Sequence, residues 1–483
     1  MESIWHQTAK FAPCPPLEED LDTEAAVIGG GLAGILTATL LAEAGVSTVV
    51  LEANRTGFGQ TGNTTAKVTA QHGALYRQLE TKLDADTAHR YAQAHQEAVE
   101  AYQRMIRDQR IACGWERLPA YLYSREEENI LEEEFAAQQR AGLPVELTVE
   151  TGLPFPVKAA VRCDGQAQFH PLRLLYALAD KLTIFEQTRV LEAEGDTLRT
   201  EKGCIRARHI VFACHFPFVN VPGYYFMRMH QERSYVTAIT GVGKLPGMYY
   251  SVDAGGLSLR SVGELLLVGG GSHQTGKNRE GGKYEALGRS AALLFPEGQP
   301  AAQWSAQDCM TLDGMPYIGQ FSAGTPNWYV ATGFRKWGMT TAMVAAQIIR
   351  DQILGWENAW AELFSPQRFT PAASASALAE NSVQAVRGLT RELLAPARAA
   401  AAALPPDHGG VVDLDGQKLG VYKAADGTLY AVDVRCPHLG CQLEWNPDEK
   451  SWDCPCHGSR FDMWGKLLSG PAQTGLEADV LPR

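Results

Sequence analysis

Several things are missing from these 483 residues. No window approaches the roughly 18 to 20 unbroken apolar residues that a membrane helix needs, so no spanning segment is expected. The opening residues, MESIWHQTAKFAPCPP, show no basic stretch followed by an apolar run, and neither an export signal nor a twin-arginine leader is read there. Positive charge is short: 43 Lys and Arg stand against 55 Asp and Glu, a net charge of −12. That argues against nucleic acid as a partner, because phosphate binding needs a basic face. Internal repeats are absent as well. Cysteine is not scarce, at ten, but Cys14, Cys113, Cys163, Cys204, Cys214 and Cys309 are scattered without paired spacing. They read as buried or incidental thiols of a cytoplasmic protein. What remains is ordinary globular sequence, 45% hydrophobic and 20% charged, in a length that exceeds one core, so two or three domains are expected.

The other four cysteines fall in two short segments, CPHLGC at 436–441 and CPCHGS at 454–459. Each offers one Cys and one His to a candidate ligand set of Cys436, His438, Cys454 and His457. A 2Fe-2S cluster with mixed ligands demands this division: two thiolates hold one iron and two neutral imidazoles the other, which removes negative charge and raises the reduction potential. The 15 residues between His438 and Cys454 contain strand-like QLEW and the turn NPDEK, suited to a hairpin that brings two loops face to face. Tetrahedral zinc takes the same residue types, but a zinc finger usually keeps its two Cys on one side and its two His on the other, and here they are mixed.

The pattern resembles the Rieske family. That resemblance implies that Cys441 and Cys456 form the loop-locking disulfide of high-potential members of the cytochrome bc type, in tension with a reducing compartment unless the cluster shields it. It also places Ser459 where a serine hydroxyl bonds a bridging sulfide. Phe461 departs from the tyrosine of the highest-potential members, so an intermediate potential is expected. No domain with two His and a carboxylate for mononuclear iron follows in the 26 residues after His457, and a Rieske oxygenase is not expected.

At the other end, residues 24–52 read as a buried strand, a glycine turn, a helix, a second strand and an acid. Gly29, Gly31 and Gly34 satisfy GxGxxG: the first makes the turn, the second lets backbone approach a pyrophosphate, and the third permits close helix–strand packing. Leu32 and Ala33 open the helix, whose free N–H groups suit phosphate. Glu52 ends the second strand, where it can bind a ribose diol, with Ala53 beside it. The spacing alone does not choose between nicotinamide and flavin, and Gly269, Gly270 and Gly271 complete no second fingerprint.

Beyond the motif, five segments in order are similar to the D-amino acid oxidase and glycine oxidase superfamily: NRTGFGQTGNTTAKVTAQHG from Asn54, QFHPLRLLYALA at 168–179, ARHIVFACH at 207–215, and the pair DCMTLDGMPYIG at 308–319 and NWYVATGFRKWGMTTA at 327–342. The resemblance implies FAD, contacted by Gly62, Thr64, Thr65 and Ala66 of the flavin-facing loop, by Val190, and by Gly333, Trp337, Gly338, Met339 and Thr340. Monomeric sarcosine oxidase tethers FAD through a cysteine near Cys309, but the register is off, and noncovalent FAD is expected. ATGF stands where hydroxybenzoate hydroxylase-type monooxygenases carry GD.

The implied architecture is an α/β FAD-binding domain of Rossmann-like, D-amino acid oxidase type with an inserted α+β substrate domain, followed by a small all-β Rieske domain. The discontinuous FAD-binding domain takes 1–75, 160–230 and 305–365, and the substrate domain takes 76–159 and 231–304. An Ala-rich, helical linker is expected over 366–404 and the Rieske domain over 405–483.

Superfamily members oxidise a C–N bond beside a carboxylate or similar group, so the expected substrate is a small amine or amino acid, and no general base is obligatory. Glycine oxidase has an arginine at the position of Lys336, with Arg335 as a neighbouring cation, so these two are the candidates for a substrate carboxylate. Lys67, Gln71 and His72 follow the flavin loop and are placed to reach the ring, and Tyr235 lies on a substrate-domain strand. A flavin joined to a one-electron cluster fits a dehydrogenase that drains electrons to an external acceptor. The alternative is inward flow, from an external donor through the cluster to a reductase or oxygen-activating flavin.

Overall fold

The computed structural model describes residues 2–368, 403–414 and 417–481. The expected Ala-rich linker lies largely outside the described residues.

Strand Leu21–Ile28 runs parallel between Thr48–Leu51 and Cys204–Phe212, and Thr183–Phe185 and Thr325–Thr332 extend this parallel sheet on its two sides. The helix Leu32–Glu43 follows the first strand and is buried almost all round, as its uniformly apolar sequence requires. It packs against the helix Gly338–Leu354, so the two ends of the nucleotide domain close on each other. Two glycines make the turn possible. Gly29 sits at φ +114°, where a Cβ would lie 2.5 Å from the Ala213 carbonyl oxygen, and a Cβ at Gly34 would lie 1.9 Å from the oxygen of Gly29.

A second eight-stranded sheet runs in the order Gln299–Thr311, Met229–Thr240, Leu265–Gln274, Ser258–Val262, Met248–Ser251, Ala120–Ser124, Ala159–Cys163, Val145–Thr148. The expected domain limits at 160 and 305 therefore fall inside strands of this sheet. Ala159–Cys163 pairs with Ala120–Ser124 and Val145–Thr148, and Gln299–Thr311 pairs with Met229–Thr240 along its whole length. Pairing between distant segments decides membership of a sheet, and no local pattern reports it.

The C-terminal region forms two four-stranded antiparallel sheets, His408–Leu414 to Ala478–Leu481 and Glu444–Asn446 to Leu467–Ser469. Trp445, Trp452 and Phe461 fill its core. The hairpin expected between the Cys/His segments is present as Glu444–Asn446 paired with Ser451–Asp453.

One alternation organises the molecule. Along Met229–Thr240, Gln231, Arg233 and Tyr235 are buried while His230, Glu232 and Ser234 are half-buried, the period of two of a strand with two different faces. Side chains of Gln231 and Arg233 meet the C-terminal domain, and Glu232 meets Lys336 on the cavity side. The sheet is a partition between the cavity and the 455–458 loop of the C-terminal domain, while residues 466–473 of that domain reach the cavity itself.

Candidate functional site

A cavity of about 690 Å³ runs through the nucleotide domain to the second sheet. Gly29, Gly31, Leu32, Ala33, Glu52, Ala53 and Val190 line its dinucleotide end; Thr64 and Thr65 line its middle; Gly333, Trp337, Gly338 and Met339 also border it. The Glu52 carboxylate accepts from the Gly30 and Asn54 N–H groups, both at 2.8 Å. Burial pushes its pKa up, against the pull of those two donors. The glycine turn, which a Cβ at Gly29 or Gly34 would force open, fits a dinucleotide such as FAD.

Three expected contacts stand behind the wall instead of on it, and Gly34 serves the close packing expected of it. Gly34 packs on Gly29, and a Cβ at Gly62 would lie 2.2 Å from His6 Nε2. The Ala66 carbonyl accepts from Arg260 Nη1 at 2.8 Å. Thr340 Oγ1 donates to the Thr69 carbonyl at 3.1 Å.

The expected substrate residues divide in the same way. His72 is buried behind Trp337, its ring stacked on the indole at 4.9 Å. Its Nδ1 lies 2.7 Å from Tyr91 Oη and its Nε2 lies 2.7 Å from the Thr69 carbonyl. Burial holds its pKa well below the ordinary value, so it is a neutral prop for Trp337 and does not line the cavity. Gln71 also turns away, donating to Gln138 and to the Val161 carbonyl. Tyr235 borders the cavity, but its ring packs against His273 and Tyr284 and its hydroxyl accepts from Asn278 at 3.2 Å.

Lys336 does line the cavity, already paired: Nζ is 3.2 Å from Glu232 Oε2 and donates to Ser272 Oγ at 2.8 Å. Burial opposes its charge, but Tyr250, Glu232 and Asp308 together hold its pKa above the usual lysine value. Glu232, hydrogen-bonded by His230 and attracted by Lys336, is held down to about 2, and burial pushes the neighbouring Asp308 up to about 7. Arg335 also lines the cavity, at φ +53°, with Nη1 3.3 Å from the Gly314 carbonyl. Glu232, Asp308, Tyr250 and Ser258 were not singled out from the sequence. They lie on strands of the second sheet that only pairing brings to the flavin loop.

The four candidate ligand residues lie close together. The His438 and His457 rings lie 4.9 Å apart at 90°, and Cys436 and Cys454 are both buried, free thiols. Buried His438 Nδ1 has no partner, while His438 Nε2 donates to Asn220 Oδ1 at 2.8 Å. That acceptor fixes the tautomer with Nδ1 free for a metal. Burial lowers the pKa of His438 to about 4 and of His457 to about 3, the neutral form that ligation requires. Cys454 and Ser459 help hold the Cys436 thiol below the ordinary cysteine value.

Cys441 and Cys456 form a disulfide beside the site. Cys454 stands within 4.8 Å of both, but a bonded pair is not a ligand pair, so the donor set is two thiols and two imidazoles. This set fits a 2Fe-2S cluster.

The second ligand loop is seated on the partition sheet. The His457 carbonyl accepts from Gln231 Nε2 at 2.6 Å, the Gly458 carbonyl from Gln307 Nε2 at 2.8 Å and the Pro455 carbonyl from Gln274 Nε2 at 3.1 Å. The Phe216 ring lies 6.3 Å from His457, and Phe216 also borders the cavity. Residues Lys466 to Gln473 of the C-terminal domain line the cavity as well. Among the described residues no helix is long and apolar enough to cross a membrane.

Comparison with known proteins agrees with both halves. Residues 24–352 match the family model described as FAD dependent oxidoreductase (DAO), and residues 397–478 match the Rieske [2Fe-2S] domain. The chain is 35% identical, over 98% of its length and 96% of the relative's, to YhfW of Bacillus subtilis, named as a Rieske 2Fe-2S iron-sulfur protein. Its C-terminal part is 40% identical to a cytochrome b6-f complex iron-sulfur subunit of Cyanophora paradoxa, over 15% of this chain and 31% of that protein. In fold it is similar to glycine oxidase from Geobacillus kaustophilus (TM-score 0.61, 19% identity, 72% of this chain and 99% of that one). It is equally similar to L-amino acid deaminase from Proteus vulgaris (TM-score 0.61, 16% identity, 74% of this chain and 100% of that one). The chain belongs to the DAO family of FAD-dependent oxidoreductases and carries a C-terminal Rieske domain, with FAD and a 2Fe-2S cluster as its cofactors.

Proposed function

We propose that the protein oxidises the C–N bond of a small amine or amino acid and passes the electrons through its own Rieske domain to an external acceptor. Bound FAD supplies hydride acceptance from the substrate carbon and release of electrons one at a time. The chain's own residues supply position. The observation that carries this reading is the shared partition: the sheet that walls the cavity on one face holds the His457 loop on the other, through Gln231, Gln307 and Gln274. Asn220, from the nucleotide domain, holds His438, and Phe216 borders both the cavity and His457. Two domains built only to share a chain have no need of such a seat for the ligand loop.

The test is anaerobic addition of an amine and amino acid panel to the FAD- and cluster-loaded protein. Bleaching of the flavin absorbance followed by the electron paramagnetic resonance signal of a reduced Rieske cluster is expected for an active compound. Flavin reduction that occurs only through the cluster, from an external reductant, would overturn the outward direction.

A further inference from the structure

Lys67 follows Ala66, a residue at φ +56°, on the short strand Lys67–Val68, and it borders the cavity. It is 8% exposed, and its Nζ donates to Ser258 Oγ. Among the described residues no ion pair is formed by Lys67; the charged group acting on it is Arg260. That guanidinium makes four hydrogen bonds, to Gln168 Oε1 at 2.7 Å, to the Ala66 carbonyl at 2.8 Å, to the Phe169 carbonyl at 2.9 Å and to the Thr65 carbonyl. The carboxylate that offsets Arg260, Glu116, is itself held by Lys244 and Gln168. The other titratable groups on the cavity wall near the second sheet are His215, Tyr235, Tyr250, Asp308, Cys309, Lys336, which is paired with Glu232, and Arg335, whose Nη1 donates to the Gly314 carbonyl at 3.3 Å.

An ammonium on Lys67 would therefore stand beside a fixed cation with no counter-ion. Burial first, and Arg260 second, push its pKa down to about 7. The cavity thus contains a lysine amine that lacks an anion, whereas Lys336 already has one.

We infer that Lys67 receives the carboxylate of an α-amino acid substrate and takes up the proton that the substrate's ammonium must lose. The inference rests on the C–N oxidation reading and names the substrate class for it. The step balances within the cavity: one N–H bond of the substrate ammonium breaks, one N–H bond forms on Lys67 Nζ, and no electron moves. The zwitterion becomes a neutral amine with a carboxylate, paired with a Lys67 ammonium. The amine lone pair is then free to assist departure of the α-hydride.

Acetate is the probe, because it brings a carboxylate and no proton of its own. Its binding to the FAD-loaded full chain is read by flavin absorbance and by calorimetry in two buffers of different ionisation heat. Expected is uptake of close to one proton per acetate above pH 8, with Kd rising about tenfold per pH unit there. Lys67→Met should lose the binding. Lys67→Arg should bind acetate with no proton uptake, since guanidinium is always charged. Asp308 and His215 are other wall groups able to take a proton, and both are retained in Lys67→Arg, so loss of uptake in that variant assigns the proton to Lys67.

Acetate binding without proton uptake in the unaltered protein, unchanged linkage in Lys67→Arg, or no acetate binding at all would overturn the inference. Proton-linked acetate binding in a protein whose flavin no amine reduces would support the Lys67 site and sink the C–N oxidation reading instead.

Discussion

Arg233 of the partition sheet reaches Glu449 of the C-terminal domain, Nη2 to Oε2 at 2.8 Å, with the Arg233 side chain only 2% exposed. Glu449 also accepts from Tyr284 Oη and from Ser305 Oγ, both at 2.7 Å, and from Arg460 Nη2 of its own domain at 3.3 Å, so its lone pairs are met from both sides of the joint. A buried pair adds little net stability against an apolar equivalent; stranding a buried charge costs about 3–5 kcal/mol, and loss of Arg233 costs less than that because Arg460 still pairs with Glu449. Arg233→Met should therefore loosen the Rieske domain without unfolding either half. The check is slower appearance of the reduced-cluster signal after anaerobic flavin reduction, with flavin and iron content unchanged.

The same pair sets a pH limit. Burial pushes Glu449 up, but Arg233 and Arg460 outweigh it and hold its pKa below the ordinary carboxylate value. A depressed carboxyl stabilises the docked form above its unfolded pKa, and that stabilisation is lost as pH falls through the folded pKa. Docking should hold at neutral pH and weaken below about pH 4. Limited proteolysis across pH 3 to 7 measures it, and Arg233→Met should show no such acid step.

At the other end of the chain, Gly34→Ala should abolish FAD binding while sparing the cluster. A Cβ there would lie 1.9 Å from the Gly29 carbonyl oxygen, and backbone on both sides of the contact cannot yield without opening the turn that cradles the dinucleotide. The ratio of flavin to iron in the purified variant is the measurement. It should fall at least tenfold, with the Rieske spectrum intact.

That contact also marks what was legible in the sequence. Gly29 and Gly34 answer a local steric demand, and Cys436, His438, Cys454 and His457 answer a coordination demand, so spacing alone exposes them. Lys336 is different. As a cation beside the flavin segment it reads as a carboxylate holder, and only the crossing of distant strands brings Glu232 within 3.2 Å of it. Likewise His72 follows the flavin loop in sequence yet lies behind Trp337. Gln231, Arg233 and Gln307 sit at buried strand positions where an apolar side chain is the usual choice. Their polarity makes sense once the C-terminal domain covers that face, and a single-strand pattern carries no information about a covering domain.

The Lys336 pairing reverses one expectation in a measurable way. If Lys336 were a free receptor, Lys336→Met alone would weaken acetate binding and Glu232→Gln would do little. With Glu232 held ionised beside it, Glu232→Gln removes a negative charge from the wall and should tighten acetate binding several-fold. Lys336→Met leaves that negative charge uncompensated and should weaken binding about tenfold, about 1.4 kcal/mol. In the double variant the two effects should largely cancel, because each acts through the same pair.

Gln231 ties the two redox halves most directly: its Nε2 donates to the His457 carbonyl at 2.6 Å, and its Oε1 lies 3.2 Å from His215 Nε2, with His215 on the cavity wall. Gln231 is not among the proposed ligands, so Gln231→Leu should keep both cofactors, whereas His457→Ala removes a proposed iron ligand and should abolish onward transfer while substrate still bleaches the flavin. In Gln231→Leu the His457 carbonyl loses its donor and the loop its fixed seat. Transfer from flavin to cluster should slow about tenfold, with the cluster's resonance spectrum and its potential little changed. Unaltered transfer in Gln231→Leu would show that the loop is seated well enough by Gln307 and Gln274. A changed spectrum would place the effect at the iron, through the orientation of His457.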